Sequence, residues 1–320
     1  MKFSELMRTL RISNLFIIFA TQLLCWFFLI RPLHNFTTEI LFLDFGHILL
    51  LSFATVLLAG AGYIINDYFD VKIDAINRPE KSLIGKEINP KSAIIAHTVC
   101  NILGLLLFAY LAYQIQRISA LIIPIICTLL LWFYSTHFKR KFVVGNVVVS
   151  LLTALSLLII VAFEPAAIAL LPYPYLKDFS GVSRLNPIWI LVVYSGFAFL
   201  LNWIREIIKD LEDFKGDAED GCVTMPIKIG IQKTVNFVRV LLAITVFCLI
   251  TISVLLILKQ WIWPAIYLLL ALAIPLSISF FKINKSVLSS HFAFYSKVLK
   301  WLMIAGVLTL ILFYILQYSN

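Results

Sequence analysis

Nine long runs of the sequence contain no charged residue, and these runs restrict the possible fold more than any other feature. Each run is 19 to 25 residues long, and they cover residues 12–30, 45–66, 92–116, 118–138, 142–163, 185–204, 240–258, 260–281 and 301–320. About 20 apolar residues in a helix cross the hydrocarbon core of a bilayer. The runs therefore predict an all-α, polytopic membrane protein with nine transmembrane helices.

The composition excludes the other broad classes of protein. Apolar residues make up 62% of the 320 residues and charged residues only 13%, with a mean hydropathy of +0.98. A soluble domain carries about twice that share of charge, and a disordered chain is far less apolar. The cysteines form no CxxC pair, which argues against a disulfide framework and a zinc site; they are Cys25, Cys100, Cys127, Cys222 and Cys248.

The distribution of Lys and Arg predicts the orientation in the membrane. When successive loops alternate between the two faces, 21 of the 26 basic residues fall on the face that carries the N-terminus. The positive-inside rule then places the N-terminus in the cytoplasm, and nine crossings place Asn320 outside. We expect an integral protein of the cell (inner) membrane. Its net charge of +9 favours contact with anionic membrane lipids, and we expect no nucleic-acid partner.

Two short windows of the sequence each carry three aspartates at the same spacing. The first window reads NDYFDVKID from Asn66 to Asp74, and the second reads KDLEDFKGD from Lys209 to Asp217. Residues at i, i+3 and i+7 share one face of a helix, so each window is expected to present a row of three carboxylates. The first stripe is Asp67, Asp70 and Asp74, and the second stripe is Asp210, Asp213 and Asp217.

A bound cation is the natural reason to place like charges in a row. Carboxylate oxygens suit Mg²⁺, and three of them leave its coordination shell incomplete for phosphate oxygens. Both windows follow an even-numbered span, so they lie on the same membrane face as the basic loop 139–141. Solvated helix ends would explain either window alone but not the repeated spacing.

A cation or proton transporter is a further interpretation of the two aspartate windows, because intramembrane acids often mark ion pathways.

The two windows resemble the paired aspartate motifs of the UbiA superfamily of intramembrane prenyltransferases. Three other stretches are similar to that family: RISN at residues 11–14, YSTHFKR at residues 134–140 and Gly145-Asn146. The resemblance implies nine helices around a central cavity, with cytosolic caps after helices 2 and 6. It also implies transfer of a prenyl group from an isoprenyl diphosphate to a lipid-soluble acceptor, with Mg²⁺ as cofactor. We expect a single domain over residues 1–320 with pseudo-halves 1–140 and 141–320.

The resemblance and the residue types together suggest the roles of individual side chains. The six stripe aspartates are the expected catalytic and metal-binding residues. The expected substrate-binding residues, several of them cations that could hold a diphosphate, are Asn14, Asn66, Lys72, Arg78, Lys81, Tyr134, Lys139, Arg140, Arg205 and Lys209. The stretch KSLIG at residues 81–85 departs from the arginine-containing stretch of many relatives. Either Arg78 or Lys81 is therefore the main expected diphosphate contact.

Two features of the motifs resemble one branch of the superfamily, the digeranylgeranylglyceryl phosphate synthases. These are the short spacing into Asn77-Arg78-Pro79 and the string REIIKDLEDFKGD at residues 205–217. This branch implies geranylgeranyl diphosphate as the donor and geranylgeranylglyceryl phosphate as the acceptor, with release of diphosphate. Prenylation of an aromatic acceptor in quinone or pigment synthesis is the alternative.

Overall fold

The computed structural model describes residues 10–77, 83–179, 181–283 and 289–318, and the chain in these ranges is almost entirely helical. A short antiparallel hairpin of β1 (Tyr175–Lys177) and β2 (Ser183–Leu185) is the exception. The α-helices, named α1 to α14 in chain order, are Ile12–Cys25, Phe45–Phe69, Val71–Asn77, Pro90–Gln114, Ile122–Thr136, Val144–Ala162, Pro165–Leu170, Pro187–Glu212, Phe214–Glu219, Met225–Ile229, Ile231–Leu258, Ile262–Tyr267, Ile274–Lys282 and Ser289–Tyr318.

Nine helical segments in the described ranges are long and apolar enough to cross a membrane, which confirms the predicted number. Some of them join two helices through a short 3₁₀ or π turn, as between α12 and α13. The segments are Ile12–Asn35, Phe45–Phe69, Pro90–Gln114, Ile118–Thr136, Val144–Ala162, Pro187–Glu212, Ile231–Leu258, Ile262–Lys282 and Ser289–Leu316.

Several membrane helices extend beyond the charge-free runs that predicted them. Helix α8 continues to Glu212 although its run ends at residue 204, and α11 begins at Ile231 although its run begins at residue 240. Charged residues at helix ends keep the backbone hydrogen bonds of the helix, and their long side chains can reach the polar headgroups. Absence of charge therefore marks the hydrocarbon core and underestimates helix length.

The chain divides into two compact units, each built from two separate stretches of sequence. Unit 1 comprises Met1–Lys139 and Leu152–Ser195, and unit 2 comprises Arg140–Leu151 and Gly196–Asn320. One boundary lies between Lys139 and Arg140, just before α6, and the other two fall within α6 and α8, so each of these two helices contributes to both units. The single domain with two pseudo-halves stays a prediction.

Close contact between helices α2 and α4 organises unit 1. A Cβ atom on Gly104 would lie 2.8 Å from Leu58 Cδ2 and 3.2 Å from the carbonyl oxygen of Ala54. Small residues at helix interfaces are typical of membrane proteins, where association depends on van der Waals packing rather than on the exclusion of water. Gly104 therefore allows α4 to approach α2 closely.

A buried polar side chain adds a second link within unit 1. The side-chain amide of Gln22 donates to Thr55 Oγ1 at 3.1 Å and to the carbonyl oxygen of Ser156 at 2.5 Å. These bonds join α1, α2 and α6. Interhelical hydrogen bonds of this kind supplement packing inside the bilayer.

Glu164 fixes the end of unit 1 at which α2 begins. Its buried carboxylate accepts hydrogen bonds from the backbone N–H groups of Leu43 at 2.9 Å and Phe42 at 3.3 Å, and it also caps α7 through the N–H of Ala166 at 3.3 Å. Burial raises the pKa of Glu164, while these three hydrogen bonds oppose that rise. The aspartates of the first stripe lie at the other end of α2.

Apolar residues from four membrane helices form the core of unit 2. Helices α8, α11, α13 and α14 contribute Leu201, Ile204, Ile208, Val238, Leu242, Leu276, Phe292 and Leu299 to this cluster. A polar contact supplements it, because Arg239 Nη2 on α11 donates to the carbonyl oxygen of Ile283 after α13 at 2.6 Å. The C-terminal end of α8 carries the second stripe.

Candidate active site

The first stripe lies where α2 ends and the short helix α3 begins. Asp67 is in the last turn of α2, and Asp74 is in α3. Asp70 lies between the two helices with φ −88° and ψ 1°, outside the helical range. The backbone N–H of Asp70 still donates to the carbonyl of Asn66 at 3.0 Å, and the N–H of Asp74 donates to the carbonyl of Asp70 at 2.8 Å. The chain therefore bends at the middle aspartate without losing these hydrogen bonds.

Among the described residues, two cations and one amide bind the carboxylates of the first stripe. Arg11 Nη2 donates to Asp67 Oδ1 at 2.7 Å, and the Arg11 guanidinium also lies 5.0 Å from the centre of the Tyr63 ring. Lys139 Nζ donates to Asp70 Oδ2. The same oxygen accepts a 2.6 Å hydrogen bond from the side-chain amide of Asn66. These partners neutralise the two most closely spaced carboxylates of the stripe.

Two observations in the first stripe fit a cation ligand. Asn66 Oδ1 is buried and has no hydrogen-bond partner among the described residues, which leaves an oxygen able to accept from a metal-bound water or to bind a metal. The pKa of Asp74 is raised to about 6, first by burial and then by the negative charge of Asp70, with Lys139 opposing. Extra positive charge at this position would stabilise the ionised form of Asp74.

The second stripe repeats this arrangement in unit 2. Asp210 is in the last turn of α8, and the buried Asp217 is in α9. Asp213 lies between the two helices with φ −92° and ψ 8°, nearly the conformation of Asp70. The N–H of Asp213 donates to the carbonyl of Lys209 at 2.8 Å, and the N–H of Asp217 donates to the carbonyl of Asp213 at 3.1 Å.

Asparagine and basic side chains also surround the second stripe. Asn146 on α6 donates from its side-chain amide to Asp210 Oδ2 at 2.9 Å, as Asn66 does to Asp70 in the first stripe. Glu206, one turn before Asp210, accepts from Lys209 Nζ at 3.1 Å. Each stripe thus pairs one aspartate with an asparagine amide.

The expectation that each stripe lies on one continuous helix is wrong. Both windows contain a helix end at the middle aspartate, because Asp70 and Asp213 leave the helical conformation while the residues on either side keep it. Asp has low helix propensity, since its short side chain competes for nearby backbone groups, but Asp67 and Asp74 remain helical, so the surroundings of the middle aspartates also contribute to these helix ends. The short helices α3, α9 and α10 follow the stripes, and their role as cytosolic caps over a cavity stays a prediction.

The donor set of the stripes fits Mg²⁺, although the protein atoms alone do not enclose a metal. Among the residues that the structure describes, no three His, Cys, Asp or Glu side chains converge as a metal-binding group. Mg²⁺ commonly takes one or two carboxylates and completes its shell with water and phosphate oxygens. The stripes could therefore hold Mg²⁺ together with a phosphate-containing ligand, which supplies the remaining oxygens.

The expected substrate-binding residues have different surroundings. Lys72 is exposed on α3, Tyr134 is half-buried on α5, and Asn14 is half-buried in the first turn of α1. Arg140 forms an ion pair with Asp220 at 2.7 Å, in the segment after α9. Asn66, Lys139 and Lys209 lie beside the stripes as described above, and Arg205 is paired with Glu206. Arg78 and Lys81 lie outside the described residues.

Sequence reasoning missed three side chains of this region as site residues. Arg11 and Asn146 belong to the RISN and Gly-Asn stretches, but only the fold shows that they bind Asp67 and Asp210. Glu206 is part of the string from Arg205 to Asp217, and its position four residues before Asp210 was the available signal. None of the five cysteines is in a disulfide in the part of the chain that the structure describes.

Comparison with known proteins identifies a family and several relatives of this chain. A model of the UbiA prenyltransferase family matches residues 24–305. Digeranylgeranylglyceryl phosphate synthase from Methanothermobacter thermautotrophicus is 32% identical over 192 residues, which are 59% of this chain and 58% of that protein. The chain thus spans less than two thirds of the length of the curated relatives that it matches.

Solved structures share the fold over nearly the full length. A structure from work on digeranylgeranylglyceryl phosphate synthase in membranes is 27% identical, has a TM-score of 0.62, and is covered over 98% of both chains. A UbiA homologue from Archaeoglobus fulgidus, bound to GPP and Mg²⁺, is 15% identical with a TM-score of 0.55. That comparison covers 95% of this chain and 99% of the homologue.

Proposed function

The chain belongs to the UbiA prenyltransferase family, and from this premise we propose that it transfers a prenyl group from an isoprenyl diphosphate to a lipid-soluble acceptor. The donor is geranylgeranyl diphosphate and the acceptor is geranylgeranylglyceryl phosphate. The bond between the allylic carbon and the diphosphate oxygen breaks, and the acceptor hydroxyl oxygen forms a bond to that carbon. The hydroxyl proton is released, and diphosphate leaves with the bonding electron pair.

The repeated geometry of the two aspartate stripes is the observation that supports this proposal. Each stripe has a helix end at its middle aspartate and an asparagine amide on one carboxylate. Bound Mg²⁺ would neutralise the negative charge that develops on the leaving diphosphate. Both stripes are proposed to serve this leaving group, since both carry ligands of the same kind and spacing.

The basic residues of the first stripe have two roles in this proposal. Arg11 and Lys139 form ion pairs with Asp67 and Asp70. With Mg²⁺ held by the aspartates, the same guanidinium and ammonium groups would be available to the phosphate oxygens, where they would stabilise charge in the transition state. Arginine suits this purpose because its planar group binds phosphate through two parallel hydrogen bonds.

The choice of donor and acceptor rests on the relatives. The curated proteins matched over about three fifths of their length are named digeranylgeranylglyceryl phosphate synthases. The Archaeoglobus homologue binds GPP and Mg²⁺, an isoprenyl diphosphate with the proposed metal. The nine apolar segments place the reaction in a membrane, where both prenyl chains dissolve. The excess of basic residues on one face supports a cytoplasmic N-terminus and stripes that meet cytosolic diphosphate.

An acceptor panel tests the proposal. Purified protein in nanodiscs is given radiolabelled geranylgeranyl diphosphate and Mg²⁺ with geranylgeranylglyceryl phosphate, with its dephosphorylated alcohol, or with aromatic carboxylic acids and phenols. We expect a labelled ether lipid from the glycerophosphate acceptor. If only the aromatic acceptors give product, the proposed acceptor is wrong and the protein acts in quinone or pigment synthesis. If no acceptor gives product, the proposal of prenyl transfer is overturned.

A further inference from the structure

Three buried hydrogen-bond donors on α8 have no acceptor among the described residues, on Asn202, Trp203 and Arg205, and the first and last of them are side chains able to bind an anion. Asn202 is only 5% exposed, and its side-chain nitrogen Nδ2 is buried without a partner. The Nε of Arg205 is also buried without a partner. Three residues apart on a helix, the two side chains lie on neighbouring positions of one face. Buried donors without acceptors are rare in native proteins and call for a specific explanation.

The rest of the Arg205 guanidinium is held in place by Glu206. Arg205 Nη1 donates to Glu206 Oε1 at 2.8 Å, and Lys209 Nζ donates to Glu206 Oε2 at 3.1 Å. Glu206 is 7% exposed, so this ion pair is largely shielded from solvent. One edge of the guanidinium is therefore fixed, and the Nε donor remains available to a ligand.

The charge around these donors favours an anion. Lys300 on α14 is close enough to Arg205 for the two positive charges to repel each other. Arg205 and Lys209 both pair with the carboxylate of Glu206, and Lys300 is a third cation of this region, so three cations accompany the carboxylates of Glu206 and Asp210 and positive charge is in excess. The nearby Asp210 belongs to the second stripe and is bound by Asn146. Ionisable groups inside a membrane helix are costly and usually functional.

The donors are separated from the second stripe along the helix. Asn202 precedes Asp210 by eight residues and Arg205 precedes it by five, which is about 12 Å and about 7.5 Å of helix axis at the usual rise per residue. An anion bound there would lie deeper in the membrane than a diphosphate held at the stripe. A phosphate monoester carries a charge of about −2 near neutral pH and has three acceptor oxygens, which suits the excess of positive charge and the two donors.

We propose that Asn202 and Arg205, supported by Lys300, bind the phosphate group of the acceptor lipid. This inference rests on the proposed function, in which the acceptor carries a phosphate monoester on its glycerol. The site selects a phosphorylated acceptor over the corresponding alcohol, because the alcohol leaves both donors buried and unpaired. Glu206 is a positioning residue that orients the Arg205 guanidinium toward the phosphate.

Acceptor selectivity is the first test. Asn202→Leu removes one donor at similar volume, and Arg205→Lys keeps the charge beside Glu206 but removes the Nε donor. Each variant is expected to lower the ratio of kcat/KM for geranylgeranylglyceryl phosphate to kcat/KM for its dephosphorylated alcohol by roughly 10- to 100-fold, the scale set by loss of a built hydrogen-bonding contact. The KM for geranylgeranyl diphosphate should stay unchanged. The matched controls Asn236→Leu and Lys233→Gln, on the exposed part of α11, should keep the wild-type ratio.

Phosphate binding without turnover is the second test. A ligand that binds the folded state raises the melting temperature of a protein. The melting temperatures of the wild-type protein and the variants are therefore measured with and without inorganic phosphate. In a separate experiment they are measured in nanodiscs with and without a diacylglycerol phosphate lipid. We expect stabilisation by the phosphate lipid in the wild-type protein and the controls, and its loss in Asn202→Leu and Arg205→Lys. Stabilisation by inorganic diphosphate with Mg²⁺ should persist in all of them, which also shows that the variants are folded.

The outcomes separate this inference from the proposed function. Prenyl transfer with an unchanged acceptor ratio and unchanged lipid stabilisation in both variants would overturn the phosphate site alone. A raised KM for the prenyl diphosphate would assign Arg205 to the diphosphate and also overturn it. Stabilisation by free phosphate but not by the phosphate lipid would contradict a lipid headgroup site. If no acceptor is prenylated while the variants lose lipid stabilisation, the site stands and the proposed reaction fails.

Discussion

Asp70 and Asp213 are the residues at which the two stripes are most alike. Both have left the helical conformation with nearly the same φ and ψ, and both still accept a backbone hydrogen bond from the aspartate four residues later. The two middle aspartates are therefore the residues whose removal best tests the proposed joint role of the stripes.

Replacing either middle aspartate by asparagine should impair turnover with little effect on folding. Asp70→Asn and Asp213→Asn each remove one negative charge at nearly constant volume. Each is expected to lower kcat by roughly a hundredfold or more, the scale for loss of a positioned electrostatic stabiliser. Steady-state kinetics with geranylgeranyl diphosphate measure the effect, and melting curves check the fold.

The double variant tests whether the stripes act on one leaving group. Groups that act as a unit are non-additive, so Asp70→Asn with Asp213→Asn should be much less impaired than the product of the single effects. Glu87→Gln and Glu219→Gln, both at exposed positions near the stripes, serve as controls and should change little. Multiplicative losses in the double variant would mean that the stripes act independently.

Metal removal tests the chemistry of the same carboxylates. Excess EDTA should abolish prenyl transfer, because Arg11 and Lys139 cannot replace the charge of a divalent ion on the leaving diphosphate. Added Mg²⁺ should restore the rate, and Ca²⁺ should restore it poorly, because Ca²⁺ is larger and less strictly octahedral. Full activity in excess EDTA would rule out a metal role for the stripes.

At the scale of elements, the contact between α2 and α4 supports the position of the first stripe. Helix α2 ends at the stripe, and Gly104 of α4 packs against the middle of α2 at Leu58. The opposite end of α2 is fixed through Glu164, whose carboxylate binds the backbone just before the helix. A change in the packing of α2 is therefore expected to change the positions of Asp67 and Asp70.

Gly104→Ala should destabilise unit 1, whereas the same change at a glycine with open surroundings should not. The new methyl group at Gly104 would meet Leu58 and the Ala54 carbonyl, whereas nothing lies within 4 Å of a Cβ on Gly306 of α14. Alanine has the higher helix propensity at both sites. We expect Gly104→Ala to be less stable than Gly306→Ala by about 1–3 kcal/mol, the usual cost of overpacking. Thermal unfolding in one detergent checks this, and equal stabilities would contradict the packing role.

At the scale of the whole molecule, the orientation in the membrane can be tested at exposed lysines. In a background without native cysteines, single cysteines at Lys86, Lys141 and Lys215 should react with a membrane-impermeant maleimide from the cytoplasmic face. A cysteine at Lys177, next to the hairpin turn, should react only from the opposite face. All four positions are exposed. Labelling of positions 86 and 215 from different faces would contradict a common side for the two stripes.

The sequence by itself determined the membrane class, the number of spans and the family. These depend on local properties: a charge-free run of about 20 residues must cross the bilayer as a helix, because only a helix or a closed barrel satisfies its backbone there. The two aspartate windows could also be recognised from the sequence alone, because the spacing of the aspartates within a window is a property of the local sequence. The same locality explains why helix ends were misplaced at Glu212 and Ile231.

Only the tertiary structure decided which side chains meet. The pairs of Arg11 with Asp67, Lys139 with Asp70 and Asn146 with Asp210 join residues more than 50 positions apart, and no local pattern specifies them. The bend at the middle aspartate also depends on surroundings, because the propensity of one residue is too small to end a helix that packing supports. The unpaired donors of Asn202 and Arg205 are visible only in the fold, since whether a polar group has a partner depends on every element packed around it.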